Sequence, residues 1–196
     1  MSAPPRTVSS PLLLALREGT QACHKGLETR LPFFHADFDL PAYRRLMQAY
    51  YGFHAPLETL LSGYQGSERA KTPTLVSDLQ ALTLTAADID ALPLCQALPV
   101  IDNEASALGV MYVIEGSTLG GQVLKRAMAE RLGIDADNGG GFLDVYGAMT
   151  GQHWRSFLQR LEQAPASAAA QACTVHAAVA TFERFEQWLE HSAVLR

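Results

Sequence analysis

The stretch that most constrains this chain is Ala107–Arg131, ALGVMYVIEGSTLGGQVLKRAMAER. It is helical in composition at both ends, with one apolar run from Leu108 to Ile114 and another from Val123 to Met128. Its middle is GSTLGG, which puts Gly116, Gly120 and Gly121 inside the helix, with Gly109 upstream. Each interior glycine costs a helix roughly 0.5–1 kcal/mol relative to alanine. A chain keeps such a set where something flat or bulky must approach the backbone closely. Gly116 and Gly120 share one helical face, with Tyr112 above, Leu124 below and Ser117 on its flank. Two readings fit: a kinked helix packed tightly on a neighbour, or one wall of a slot for a planar ligand.

A second stretch favours the slot. Leu16–Leu31 reads LREGTQACHKGLETRL and sets His24 and Glu28 four apart, on one helical face. A histidine on an apolar helical face is more often a hydrogen-bonded core residue than a ligand, so His24 alone decides little. The two stretches together, in this order, resemble the haem oxygenase family. There a histidine of the first helix, in a GTxxxHxxLE-like context, holds the haem iron. The distal wall is a kinked helix with a GxxxGGQ-like sequence, matched here by Gly116, Gly120, Gly121 and Gln122.

The resemblance implies an all-α, single-domain helical bundle, with haem b sandwiched between the first helix and the glycine-kinked one. It implies that His24 ligates the iron. Glu28, one turn on, would accept the outer N–H of the imidazole and fix its tautomer. Tyr112, Gly116, Gly120 and Gly121 would line the ring. Arg17 would face a propionate from two turns before His24, with Arg155, and less cleanly Arg160, as further cations. Phe182 and Phe185 would complete an apolar wall, although ordinary core packing explains them as well. Gly116, Ser117 and Gly120 are the residues implied for catalysis. The sequence departs from the family at one point. Many members carry an aspartate three residues before the GG pair, where Ser117 stands here. Bacterial members associated with bacteriophytochromes have an EGSTLGG-like helix, and this chain resembles them most.

The activity so implied is oxidative ring opening of haem to biliverdin, with release of carbon monoxide and ferrous iron. Haem and dioxygen are its reactants. The chain has no GxGxxG after a strand, so electrons must come from a donor protein such as a ferredoxin or a reductase. A bacteriophytochrome is the implied acceptor of biliverdin. Two other readings stand beside this one. The first is a carrier or sensor that keeps haem intact. It would be expected to supply a second side-chain ligand, and no His, Met or Cys sits on the Tyr112–Gly116–Gly120 face. The second is a fold relative without haem, such as a thiaminase-like enzyme, which leaves the pairing of His24 with the glycines unexplained.

Composition narrows the alternatives. A chain of 196 residues is long enough for one domain with a substantial core. The formal charge of −5 argues against nucleic acid as a partner, because phosphate binding needs a basic surface. No segment approaches the roughly 20 apolar residues that span a bilayer, so no membrane is expected. Leu12–Leu16 is too short for a secretory h-region and Arg17 and Glu18 interrupt it, which predicts a cytoplasmic protein. Cys23, Cys95 and Cys173 are scattered and form no CxxC, so neither a disulfide framework nor a zinc site is expected. His54 and Glu58 are also four apart, but a carboxylate-bridged di-iron bundle needs ExxH motifs, and the chain has none.

In order, residues 1–10 read as a mobile arm and 11–196 as the helical domain. Ser10–Pro11 predicts a helix start, Pro32 its stop, and Asp39 with Pro41 the start of a second helix that contains Pro56. Short helices are expected at 73–82 and 86–92, and the glycine-bearing helix at about 103–131. A short helical piece is expected at 142–146, and two further helices at 152–163 and about 166–190. No run alternates as a strand does.

Overall fold

A computed structural model of the chain describes residues 10–165 and 167–196. The arm expected over 1–10 therefore lies outside the described residues, apart from Ser10. Seven α-helices are present among them: α1 Pro11–Arg30, α2 Leu40–Leu61, α3 Thr72–Ala81, α4 Ala86–Asp90, α5 Glu104–Leu132, α6 Thr150–Glu162 and α7 Ala168–His191. Short 3-10 turns lie at Pro32–Phe34, Ser67–Arg69, Gly141–Asp144 and Gly147–Met149, and no described residue is in a strand. The helical piece expected over 142–146 is the third of these turns.

Local chemistry sets the helix ends. Ser10 Oγ accepts from the Leu13 N–H at 3.2 Å and Pro11 occupies the first turn of α1. Asp39 accepts from the Ala42 N–H at 2.8 Å at the start of α2. Asn103 and Ser106 form a capping box at the head of α5, which ends on Gly133 in the left-handed conformation (φ 67°). The glycines do not interrupt α5, which runs unbroken through GSTLGG.

The central helix is α7, which packs on α1, α2 and α5. Its approach to α5 is close. A Cβ added at Gly109 would lie 2.1 Å from the Thr174 carbonyl oxygen. Its approach to α2 is fixed by Trp188, whose indole donates to the Ala49 carbonyl at 2.7 Å and covers Gly52. Between them lies a core that includes Tyr43, Leu46, Met47, Phe53 and Leu57 of α2, Leu108 and Met111 of α5, and Leu189 of α7. By contrast, α1 and α5 both lean on α7 but scarcely touch each other. The space left between them is the site.

Candidate functional site

That space is a cavity of about 1030 Å³, with α1 along one wall and the glycine stretch of α5 along the other. From α1 come Arg17, Thr20, Gln21, His24, Leu27 and Glu28; from α5 come Tyr112, Val113, Gly116, Ser117, Leu119, Gly120, Gly121, Val123 and Leu124. Phe182 and Phe185 of α7, with Tyr50, Phe53 and His54 of α2, close the deep end. Phe34, Leu119 and Val123 are exposed at the mouth.

The helical stripe of α1 predicts that His24 turns inward with Leu13, Leu16, Thr20 and Leu27, and with Leu31, which is half-buried just past the helix end. The first four are buried, but the His24 side chain keeps 58% of its exposure. His24 shares the inward face of α1, and that face at this level borders the cavity. His24 Nδ1 stands 3.4 Å from Glu28 Oε2, which leaves Nε2 as the nitrogen available to a ligand. The edge of the imidazole meets Phe182, with ring centroids 5.8 Å apart. Cys23 packs against the core, and burial pushes its thiol pKa up, with the negative charge of Glu183 adding to the effect.

The glycines of α5 are not equivalent. A Cβ at Gly120 would meet nothing within 4 Å, and one at Gly116 would meet only the Trp154 ring at 3.8 Å. Protein packing therefore does not require glycine at either position, and tight helix packing does not account for them. A Cβ at Gly121 would lie 2.6 Å from the Leu143 carbonyl oxygen, so this glycine admits the Gly141–Asp144 turn. Gln122, next along, donates to Asp144 at 2.7 Å and ties the same turn to α5. Ser117 is exposed toward the cavity, and its hydroxyl donates to the Ile114 carbonyl at 2.8 Å.

Two expected cations lie elsewhere. Arg155 sits on the exposed side of α6, outside the cavity lining. Arg160 donates to the Tyr64 carbonyl at 2.6 Å and pairs with Glu104 at 3.3 Å, a brace between α6 and its neighbours. Arg17 does line the cavity, and so does Lys25, beside His24. Sequence reasoning also missed Phe33, Phe34, Phe142, Trp154 and His54 as lining residues. For His54 a signal was available: it adjoins the apolar stripe that carries Tyr50, Phe53 and Leu57.

Behind α5 lies a buried ionic cluster. Glu115 is 1% exposed and accepts from Lys71 Nζ at 2.7 Å, from Tyr146 Oη at 2.8 Å and from the Arg69 guanidinium. Lys71 also donates to the Arg69 carbonyl at 3.0 Å, and its own backbone N–H donates to Glu58 at 2.6 Å. Burial lowers the Lys71 pKa while the carboxylate beside it opposes that shift. Glu58 is thus committed to the head of α3, and among the described residues no group of His, Cys, Asp and Glu could hold a metal ion on its own.

The donor set suits one ligand shape. A flat, largely apolar molecule with an acceptor for one imidazole would lie between Gly116–Gly120 and His24, its polar edge toward Arg17 and Lys25 at the mouth. Comparison with known proteins identifies the family and the fold. The family model described as "Heme oxygenase" matches residues 10–191. A haem oxygenase from Xanthomonas campestris is 33% identical over 175 residues, covering 81% of this chain and 94% of that protein. The fold is that of the Leptospira interrogans haem oxygenase, at TM-score 0.71 and 20% identity over 93% of this chain and 100% of that one. It is also that of haem oxygenase-1 of Synechocystis, solved with haem, at TM-score 0.69 and 19% identity over 93% and 92% of the two chains. With the family model spanning nearly the whole chain and an all-helical fold built around this slot, the chain belongs to the haem oxygenase family.

Proposed function

We propose that this chain binds haem through His24 and opens its ring oxidatively to biliverdin, releasing carbon monoxide and ferrous iron. The observation that carries the reading is the pair of open Cβ positions at Gly116 and Gly120, facing a histidine across an apolar slot. Haem, when bound, supplies both the iron that activates dioxygen and the ring that is consumed. The residues of the chain do the rest. Glu28, whose Oε2 stands 3.4 Å from His24 Nδ1, would accept from Nδ1–H and so orient the ring to offer Nε2 to the iron. Glycine at 116 and 120 keeps the opposite side of the slot free of side chains. Ser117 presents a hydroxyl there whose lone pairs can accept a hydrogen bond from water. Phe182, Phe185 and Phe53 give the deep end an apolar lining. Arg17 and Lys25 at the mouth suit the propionate carboxylates. Electrons come from a ferredoxin or a reductase, and a bacteriophytochrome is the proposed acceptor of the product.

The test is an absorbance series on purified protein given one equivalent of haemin, then reductant in air with catalase present. A Soret band that decays into a biliverdin spectrum, and that fails to form in His24→Ala, is the expected result. A stable ferrous or oxy spectrum with competent reductants would make the chain a carrier. No Soret shift at all would refute the haem reading.

A further inference from the structure

The deep end of the slot contains a polar group that the reading above does not use. His54, on α2, lines the cavity but is only 3% exposed, and its Nδ1 is buried without a hydrogen-bond partner. Rings surround it. Tyr50 stacks on it at 6.2 Å, and Phe142 and Phe185 meet it edgewise at 5.1 and 6.5 Å. None of these neighbours offers it a carbonyl or a carboxylate. Its titratable neighbours are Tyr50 on its own helix and Lys71 ahead of α3; Phe142 and Phe185, from the turn after α5 and from α7, carry no charge. Burial, helped by the Lys71 charge, pushes the imidazole pKa down to about 3. It is therefore neutral at physiological pH, with one N–H donor and one acceptor.

A phenylalanine would fill this shell without leaving a buried nitrogen unpaired. An orphaned polar group in an aromatic shell bears its full desolvation penalty and calls for a partner that enters from the cavity. A half-turn about Cβ–Cγ exchanges the two edges of the imidazole at little steric cost, so either nitrogen can serve. The opposite wall offers little to replace it. The carboxylate of α5 at this level, Glu115, is turned away into Lys71, Arg69 and Tyr146, and the Ser117 proton is given to Ile114. The cavity, at about 1030 Å³, is large enough to hold ordered water.

We propose that His54 is a positioning residue that anchors an ordered water in the deep end of the haem slot. The inference rests on the haem reading. The test compares the full chain with His54→Phe and His54→Gln, and with His54→Leu should the phenylalanine variant fail to fold. Three quantities are read: the melting temperature of each apoprotein, haemin affinity by Soret titration, and the pH midpoint of the acid–alkaline transition of the ferric complex. Apo His54→Phe should melt at or above the parent temperature, since the orphaned group is gone. Haemin affinity should change by less than about threefold, because His54 does not ligate the iron. The midpoint should move by about one pH unit in His54→Phe and return in His54→Gln, which keeps a donor and an acceptor. An unmoved midpoint at unchanged affinity would overturn the anchor. So would a parent spectrum of the low-spin, two-imidazole kind that His54→Phe abolishes, since His54 would then be an iron ligand. A parent chain that gives no Soret shift refutes the haem reading itself, and the anchor falls with it.

Discussion

At the scale of single residues, the glycines of α5 divide by what a methyl group would meet. At Gly109 it would meet the backbone of α7 at 2.1 Å, and at Gly120 it would meet open slot. Gly109→Ala should therefore destabilise the fold by about 1–3 kcal/mol or more, as overpacking against a backbone that cannot yield. Gly120→Ala should leave stability unchanged or raise it by up to about 1 kcal/mol, the helix-propensity gain, while weakening haem turnover. Urea unfolding paired with the haemin assay separates the two; equal destabilisation at both positions would remove the ligand explanation for Gly120. The sequence marks all four glycines alike, since the cost of glycine in a helix is a local property. Which of them answers to a helix, a turn or a ligand depends on what lies opposite. Arg155 and Arg160 lie outside the cavity lining for the same reason: an arginine's reach is legible in the sequence, but its direction is set by how α6 rotates on the core.

At the scale of elements, the cluster around Glu115 joins the segment before α3, the middle of α5 and the turn before α6. Lys71 and Glu115 are each 1% exposed, so the pair is held in low dielectric, where losing one partner strands the other. Glu115→Gln should cost about 3–5 kcal/mol by denaturant unfolding, with Lys71→Met in the same chain recovering part of the loss. Additive single-mutant costs would mean that the charges are not coupled. Because Glu115 does not line the cavity, the haemin affinity of any folded fraction should persist. Glu115 lies off the slot face of α5. Its partners come from distant parts of the chain and leave no local trace.

At the scale of the whole molecule, the slot exists because α1 and α5 are both fastened to α7 and not to each other. A ligand that fills the gap joins the two walls, so binding should appear as stability. At a free haemin concentration 100 times Kd, linkage adds about 2.7 kcal/mol, or roughly 5–10 °C in Tm for a chain of this size. Removing haemin should reverse the shift, and hydrogen exchange should report the largest gain in protection along α1 and the middle of α5. An unchanged Tm at saturation would mean that the walls do not close on the ligand. The elements themselves were legible in the sequence. Ser10–Pro11, Asp39–Pro41 and Gly133 mark their ends through short-range hydrogen bonds and fixed dihedrals, and periodicity marks their buried faces. His24 with Glu28, and Gly116 with Gly120, could be read as pairs, because spacing along one helix fixes which residues share a face; only the resemblance to the family set the two pairs opposite each other. Tertiary structure alone decided that His24 borders open space, that Gly121 serves a turn, and that His54 and Lys71 reach the same cavity. Those facts depend on contacts between segments far apart in the chain, and their energies are set by packing across the core, which no local pattern encodes.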